Sequence, residues 1–345
     1  MHGTSIELPL PPGPYAWPII GNILQTRKNV YVHLAELAQV HGPLMSLRSG
    51  QRTLIIGSSS AVASEILKTH DDVLSGREVS RFQGKEPSVI NMNLVFSSEC
   101  DDGWRVIRNL YRSELFSGKA LESSAKMREN KVEEMVKYLG SKEGEDVIIK
   151  DVLFVTAMNI LSNTVFSTDL VDFEGNGIGA CIMDTVKQLN ILAAKPKLSD
   201  IYPKLGRWDL QGWYKEVMHI IQDEFGSVWK DILEMKRNGS NISSNLKDFA
   251  DSLIEKGTTN LQINLIMQEL FSAGTETTSL SIEWFIAELM KNQEVMHKAK
   301  DEVMKQIEGS VVKESDLVRL PFLEACFKET LRLHPPGPLR QLKDF

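Results

Sequence analysis

The chain has 345 residues, of which 42% are hydrophobic and 25% charged, so it has the composition of a soluble globular protein with a sizeable core. The formal net charge is -7 and basic residues form no long run, which excludes a nucleic-acid backbone binder. Cys100, Cys181 and Cys326 are widely spaced and make no C-x-x-C pair, which argues against a zinc site or disulfide framework. No membrane-spanning apolar stretch or signal peptide is evident, so we expect a soluble or peripheral chain.

The N-terminal part predicts a stiff connector followed by a small sheet. Prolines between Pro9 and Pro14 force extended backbone and remove amide donors. The polar stretch from Gly84 to Gly103 predicts a long loop, of the kind that is usually functional or disordered. The predicted elements here are a helix at Tyr31–His41, strands at 44–48 and 53–56 joined by a hairpin turn at 49–52, and a serine-capped helix at 60–68.

From Trp104 onward the sequence has helical periodicity almost throughout. We find no internal repeat and no low-complexity tract, so the fold class is mainly α with a small N-terminal β-sheet. The predicted helices cover 102–115, 119–139, 147–166, 177–192, 209–237, 245–254, 262–291, 293–306 and 320–333.

The most informative segment is Leu261–Lys291, a helical pattern of about 45 Å with apolar residues on every side. Its centre reads Ala273-Gly274-Thr275-Glu276-Thr277-Thr278, which contains poor helix formers and an acid that is costly in a core. Small residues let a ligand approach the backbone, Thr277 can bond back to a carbonyl, and an acid beside a hydroxyl can pass protons. A kinked core helix whose threonines bond to its own carbonyls is the alternative.

Two side-chain pairs add weaker signals. Glu329 and Arg332 lie three residues apart on one predicted helix face, ahead of a His-Pro-Pro stop; their apolar surroundings favour a buried pair over the common surface pair. Trp104 and Arg108 lie four apart on another helix, where an indole and a guanidinium can bind a carboxylate. A half-buried tryptophan beside a surface arginine is the commoner reading of that second pair.

In this order and spacing, the three motifs resemble the cytochrome P-450 superfamily, over nearly the whole chain. Wording such as Trp17-Pro18-Ile19-Ile20-Gly21-Asn22 and Val312-Lys313-Glu314-Ser315-Asp316 is similar to plant microsomal enzymes, most like the benzylisoquinoline-alkaloid group around N-methylcoclaurine 3'-hydroxylase. The resemblance implies a P-450 fold with a remnant at 1–8, a proline-rich hinge at 9–18, an incomplete catalytic domain at 19–339 and a divergent tail at 340–345.

The resemblance also implies roles for individual residues. Glu276 and Thr277 match the acid–alcohol pair that delivers protons to bound dioxygen, and Ala273 and Gly274 the oxygen groove. The other implied roles are heme-propionate binding for Trp104 and Arg108, a structural lock for Glu329 and Arg332, and a substrate-facing position for Val95 and Phe96, in the loop around Asn91–Glu99, and for Leu270 and Phe271.

By this resemblance the protein is a heme-thiolate monooxygenase that holds heme b, takes electrons from NADPH through NADPH-cytochrome P-450 reductase at the cytosolic face of the endoplasmic reticulum, and oxidises a small apolar or aromatic plant metabolite. None of the three cysteines has the context of the family's thiolate ligand, and no N-terminal anchor is recognisable. We therefore expect the chain as given to be catalytically inactive, and cytosolic or peripheral. A non-catalytic protein that binds the reductase or a full-length relative remains the alternative.

Overall fold

The computed structural model describes residues 9–25, 29–77, 94–95, 97, 100–238, 247–307, 309, 311–337 and 339. Most of the predicted loop at 84–103, together with Phe96, lies outside the described residues. The chain forms two compact units, the first made of Met1–Trp104, Ala194–Glu216 and Pro338–Phe345, the second of Arg105–Ala193 and Val217–Gly337.

The first unit is organised around the predicted hairpin. Strand β1 (Leu44–Ser49) pairs antiparallel with β2 (Arg52–Gly57), and Ser49 pairs with Arg52 across a two-residue turn. Gly50 in that turn has φ +60°, a conformation that glycine adopts without strain. The other helices here are α1 (Val30–His41), α2 (Ser60–Ser64), which a π-helical turn (Glu65–Thr69) continues, and α3 (Asp71–Leu74). Ser59 caps α2 by accepting from the Val62 amide.

The predicted proline connector is extended, and it is docked on β1. The Ser46 amide donates to the Pro12 carbonyl over 2.9 Å, and the Ser46 hydroxyl donates to the Pro11 carbonyl over 2.7 Å. Gly13 is required at this contact, because a Cβ there would stand 2.0 Å from the Ser46 carbonyl oxygen. The segment is therefore part of the first unit rather than a free linker.

The second unit is a helical bundle around one very long helix. The long helix Asn260–Lys291 packs most extensively on the helix Ile149–Phe166, which also packs on the helix Gly118–Ser141. The helices that belong to or reach this unit are α4 (Asp102–Glu114), α5 (Gly118–Ser141), α6 (Ile149–Phe166), α7 (Ile182–Ala194), α10 (Gly226–Arg237), α11 (Phe249–Glu255), α12 (Asn260–Lys291), α13 (Gln293–Gln306) and α14 (Pro321–Leu333), while α8 (Leu198–Ile201) lies in the first unit and α9 (Trp213–His219) begins there.

An aromatic cluster forms the centre of this bundle. Phe271 of α12 stacks on Trp229 of α10, with ring centroids 5.6 Å apart, and on Phe166 of α6, at 6.4 Å. Phe225 completes the cluster against Trp229 at 5.5 Å. All four rings have at most 2% exposed surface, and the Trp229 indole donates to Asn264. Offset aromatic contacts of this kind add to the burial energy of the rings.

Helix α6 is long and apolar enough to cross a membrane, whereas the sequence analysis predicts no membrane-spanning stretch. Residues Ile149–Phe166 pass that test by length and composition, but 56% of the segment is buried inside the described protein. A helix that is apolar on all sides is typical of the core of a large domain. We therefore assign α6 to the core.

The two largest errors in the predicted helix boundaries are at helix starts. The helix expected over 209–237 starts at Trp213, because Asp209 and Gly212 both have positive φ and the Asp209 carboxylate accepts from the Tyr214 and Lys215 amides like a cap. A π-helical segment, Ile220–Phe225, then separates α9 from α10. The helix expected from Gly177 starts at Ile182, since Gly177 has φ +125°. Its conformation lies outside the helical region.

Helix α14 receives its N-terminal cap from another helix. Pro321 occupies the first turn and Leu320 offers no side-chain acceptor. The Glu302 carboxylate of α13 instead accepts from the Phe322 and Leu323 amides, each over 2.9 Å.

We expect Glu302→Ala to lower the free energy of unfolding by about 1 kcal/mol, the usual cost of losing a helix cap. Urea denaturation followed by circular dichroism measures the change. The exposed neighbour Asp301 provides a matched control, since Asp301→Ala removes a carboxylate from the same helix without touching α14. Equal effects of the two substitutions would contradict the assignment.

Candidate functional site

The predicted oxygen-handling segment lies in the middle of α12, which is continuous from Asn260 to Lys291. Its N-terminal half is buried, whereas Ala273, Gly274 and Thr277 are exposed. Thr277 lies four residues after Ala273 and three after Gly274, so it lies between them around the helix axis. α12 therefore presents an accessible strip lined by small side chains and a hydroxyl.

The threonines of this segment satisfy themselves against the helix. The hydroxyl of Thr275 donates to the Phe271 carbonyl over 2.6 Å, that of Thr277 to Ala273 over 2.5 Å, and that of Thr278 to Gly274 over 2.8 Å. The predicted back-bond of Thr277 is thus present, but it does not interrupt the helix. This pattern satisfies polar groups that would otherwise compete with the helix.

The Glu276 carboxylate is held by two other helices. The side-chain amide of Asn190 on α7 donates to one oxygen, and the Lys150 ammonium of α6 lies 4.0 Å from the other. The Glu276 side chain is about a quarter exposed. The sequence analysis missed Asn190 and Lys150, because they are remote in the chain and neither belongs to a recognisable motif.

Trp104 and Arg108 both lie on α4, as predicted. The Trp104 indole N–H donates to the Leu94 carbonyl over 3.0 Å, and the Trp104 amide is capped by Asp101 over 2.8 Å. The Arg108 side chain is exposed. The Trp104 indole N–H is thus bonded to the Leu94 carbonyl, while the Arg108 side chain lies at the surface.

Glu329 and Arg332 form the predicted pair on α14, but it is not buried. Two N–H···O bonds of 2.7 Å join the guanidinium to the carboxylate. The side chains are 54% and 67% exposed, so the expectation of a buried pair is wrong for this chain. The Arg332 guanidinium lowers the pKa of Glu329 through the hydrogen bonds and its charge. Exposed pairs of this kind contribute little to stability.

The predicted substrate-facing residues differ in how much of their surface is exposed. Val95 is 42% exposed and Leu270 is 9% exposed, on the same side of α12 as Thr277. Phe271 has no exposed surface and belongs to the aromatic cluster, and its substrate-facing position stays a prediction. One residue along a helix is a rotation of about 100°, which carries Phe271 to a different side from Leu270.

A family model described as cytochrome P450 matches residues 11–344. The chain belongs to the cytochrome P450 family. Probable (S)-N-methylcoclaurine 3'-hydroxylase isozyme 2 of Coptis japonica is 42% identical over 96% of this chain and 67% of its own length. (S)-N-methylcoclaurine 3'-hydroxylase isozyme 2 of Eschscholzia californica is 39% identical over 98% and 70%, and corytuberine synthase of Coptis japonica is 39% identical over 95% and 68%. The predicted family and the mainly helical fold class are confirmed.

Cytochrome P450 proteins bind heme, and the residues present fit only part of that requirement. The accessible strip at Ala273, Gly274 and Thr277 has side chains small enough for a flat ligand to approach. The thiols do not supply a suitable axial ligand: Cys181 is exposed, Cys100 adjoins α4, and Cys326 lies within α14. Burial, and then the charge of Glu302, raises the pKa of Cys326, which disfavours the thiolate.

Proposed function

We propose that this P450 chain carries the proton-delivery side of a monooxygenase of plant benzylisoquinoline-type metabolism. The supporting observation is the accessible strip of α12, beside a carboxylate whose position is fixed by Asn190 and Lys150. Heme b, when bound, supplies the iron at which dioxygen is activated. The substrate is a small apolar or aromatic plant metabolite, which either receives one oxygen atom or undergoes phenol coupling.

In this proposal, Thr277 and Glu276 handle protons. The Thr277 hydroxyl rests on the Ala273 carbonyl and becomes a donor toward the accessible strip when it rotates away. Glu276 replenishes that proton, and Lys150, whose side chain is 36% exposed, links the carboxylate to solvent. Asn190 keeps the carboxylate from turning into bulk water.

The remaining roles belong to the surroundings of the reaction. Arg108 and Trp104 bind a heme propionate, which requires the indole to exchange its bond to Leu94. Glu329 and Arg332 keep their mutual hydrogen bonds and act as the structural lock of the domain. Leu270 contacts the substrate, and electrons come from NADPH through NADPH-cytochrome P450 reductase at the cytosolic face of the endoplasmic reticulum.

We further propose that the 345-residue chain does not turn over by itself, because none of its thiols is placed as an axial ligand. The absorption spectrum of the purified, reduced chain under carbon monoxide tests this. We expect no stoichiometric heme and no band of the thiolate type. A thiolate-type band would mean that Cys100, Cys181 or Cys326 reaches the iron, and it would overturn the proposed inactivity.

The proton-delivery role is testable in a chimera that joins this chain to the cysteine-bearing portion of the Coptis japonica 3'-hydroxylase relative. With reductase, NADPH and a benzylisoquinoline, we expect Thr277→Ala to lower product formation by about a hundredfold, the usual range for a positioned proton donor. Thr278→Ala is the matched control, because the Thr278 hydroxyl makes the same kind of back-bond and lies about 100° around α12 from Thr277. Equal activity of the two variants would exclude Thr277 from this role.

A further inference from the structure

The C-terminal ends of α12 and α14 are joined by a stacked pair of rings. The His334 imidazole, which directly follows α14, lies parallel to the Trp284 indole of α12, with ring centroids 3.8 Å apart and 4° between the planes. The His334 Nε2–H donates to the Glu288 carboxylate over 2.9 Å, since a carboxylate can only accept. This hydrogen bond is the main cause of the lowered pKa of Glu288. Two side chains of α12 therefore hold one imidazole.

The C-terminal part of α12 depends on such contacts for its orientation. The aromatic cluster anchors the N-terminal half of the helix, whereas residues 282–291, all of which the structure describes, include no buried residue. Besides the stack of Trp284 on His334, the Phe285 ring meets Phe327 of α14 edge to face, with centroids 5.5 Å apart. Side-chain packing on α14 thus helps to set the rotation of this part of α12 about its axis.

The stack lies on the side of α12 that carries the accessible strip. Leu270, Thr277 and Trp284 recur every seven residues, so they lie within about 40° of one another around the helix axis. A rotation of about 10° moves an atom about 6 Å from the axis by about 1 Å. A misplacement of that size at a reacting group can lower a rate by about a hundredfold. A small change in how α14 holds Trp284 is therefore large enough to matter at Thr277.

We propose that Trp284 and His334 are positioning residues for Thr277: their stack fixes the rotation of α12, and with it the direction of the Thr277 hydroxyl. This role rests on the proton-delivery function proposed for Thr277. Trp284 lies two helical turns from Thr277, about 10 Å along the axis, so it acts through the helix and not by contact. Glu288, one turn further along, keeps the imidazole from turning out of the stack.

The chimera described above tests this role, with reductase, NADPH and a benzylisoquinoline. The measured quantity is product formed per NADPH consumed, because that ratio does not depend on how much of the chimera is folded. We expect His334→Ala to lower the ratio about tenfold. His334→Phe, which keeps a ring on Trp284, should retain most of it, and the exposed His297 of α13 provides a control, His297→Ala, that should leave it unchanged. Near-ultraviolet circular dichroism of the 345-residue chain should show that His334→Ala loses the signal of an ordered tryptophan.

Four outcomes overturn the positioning role. They are an unchanged ratio in His334→Ala while Thr277→Ala lowers it, an equal fall in His297→Ala, an equal fall in His334→Phe, and an unchanged near-ultraviolet spectrum in His334→Ala. If neither Thr277→Ala nor His334→Ala changes the ratio, the proton-delivery function fails as well. The two failures are therefore distinguishable.

Discussion

Replacing Phe271 by alanine should lower the free energy of unfolding by about 3–5 kcal/mol, the range for deleting a fully buried aromatic ring. The ring has no exposed surface, and its loss leaves Phe166 and Trp229 facing a cavity at the centre of the second unit. Urea or thermal denaturation measures the effect. Since folded domains are stable by about 5–15 kcal/mol, the variant should be near the limit of stable folding.

The control for this prediction is Phe116→Ala, because Phe116 is 60% exposed in the same unit. We expect that substitution to change stability by less than about 0.5 kcal/mol. A milder variant, Phe271→Leu, keeps the fold available for ligand measurements. Similar unfolding free energies for Phe271→Ala and Phe116→Ala would contradict the aromatic cluster as the core of the second unit.

Replacing Lys236 by methionine should cost about 3 kcal/mol, because it leaves a buried carboxylate without its counter-ion. The Lys236 ammonium lies 2.7 Å from Asp248 and 3.0 Å from Asp251, and the Lys236 and Asp248 side chains are 9% and 5% exposed. Burial alone would lower the pKa of Lys236, but its hydrogen bonds to both carboxylates raise it. Lys137→Met removes an exposed ammonium from a surface pair and serves as the control.

The loss of unfolding free energy caused by Lys236→Met should become smaller as pH falls. Burial already raises the pKa of Asp248 in the intact protein, and without Lys236 that effect is opposed only in part, by the hydrogen bond from the Asp251 amide. A carboxyl group whose pKa is raised by folding binds more protons when folded, so its unfavourable contribution shrinks as pH falls. The stability difference from the unaltered chain should therefore narrow below neutral pH. Lys236→Met combined with Asp248→Asn should recover much of the loss at neutral pH, and its failure to do so would locate the cost elsewhere.

Local patterns predicted the elements whose signals are local. The hairpin was predictable because apolar runs flank a glycine-containing turn, and Gln293–Gln306 matches its predicted span. The helix start at Trp213 was missed because Asp209, which any helical pattern accommodates, adopts positive φ and caps the chain from there. The two π-helical segments also carry no periodicity signal of their own.

At the site, motif spacing located Ala273, Gly274, Glu276 and Thr277 on one helix, but not their partners. Asn190 and Lys150 reach Glu276 only because α6 and α7 bring them there, which is a tertiary event. Phe271 lies one residue after Leu270 and therefore about 100° around the helix from it. Whether both face a substrate depends on packing, which residue spacing alone does not reveal.

The docked proline segment also bears on solubility. A two-stranded sheet has open edges, and an open edge can recruit a strand from another molecule. Residues 11–12 and 20–22 occupy the edge of β1 that β2 leaves free, through their bonds to Ser46 and Arg48. A proline has no backbone N–H to donate, so a further strand cannot form a regular hydrogen-bond ladder with the proline segment. Removal of the residues up to residue 22 would expose that edge of β1 and should favour association between the hairpins of two molecules.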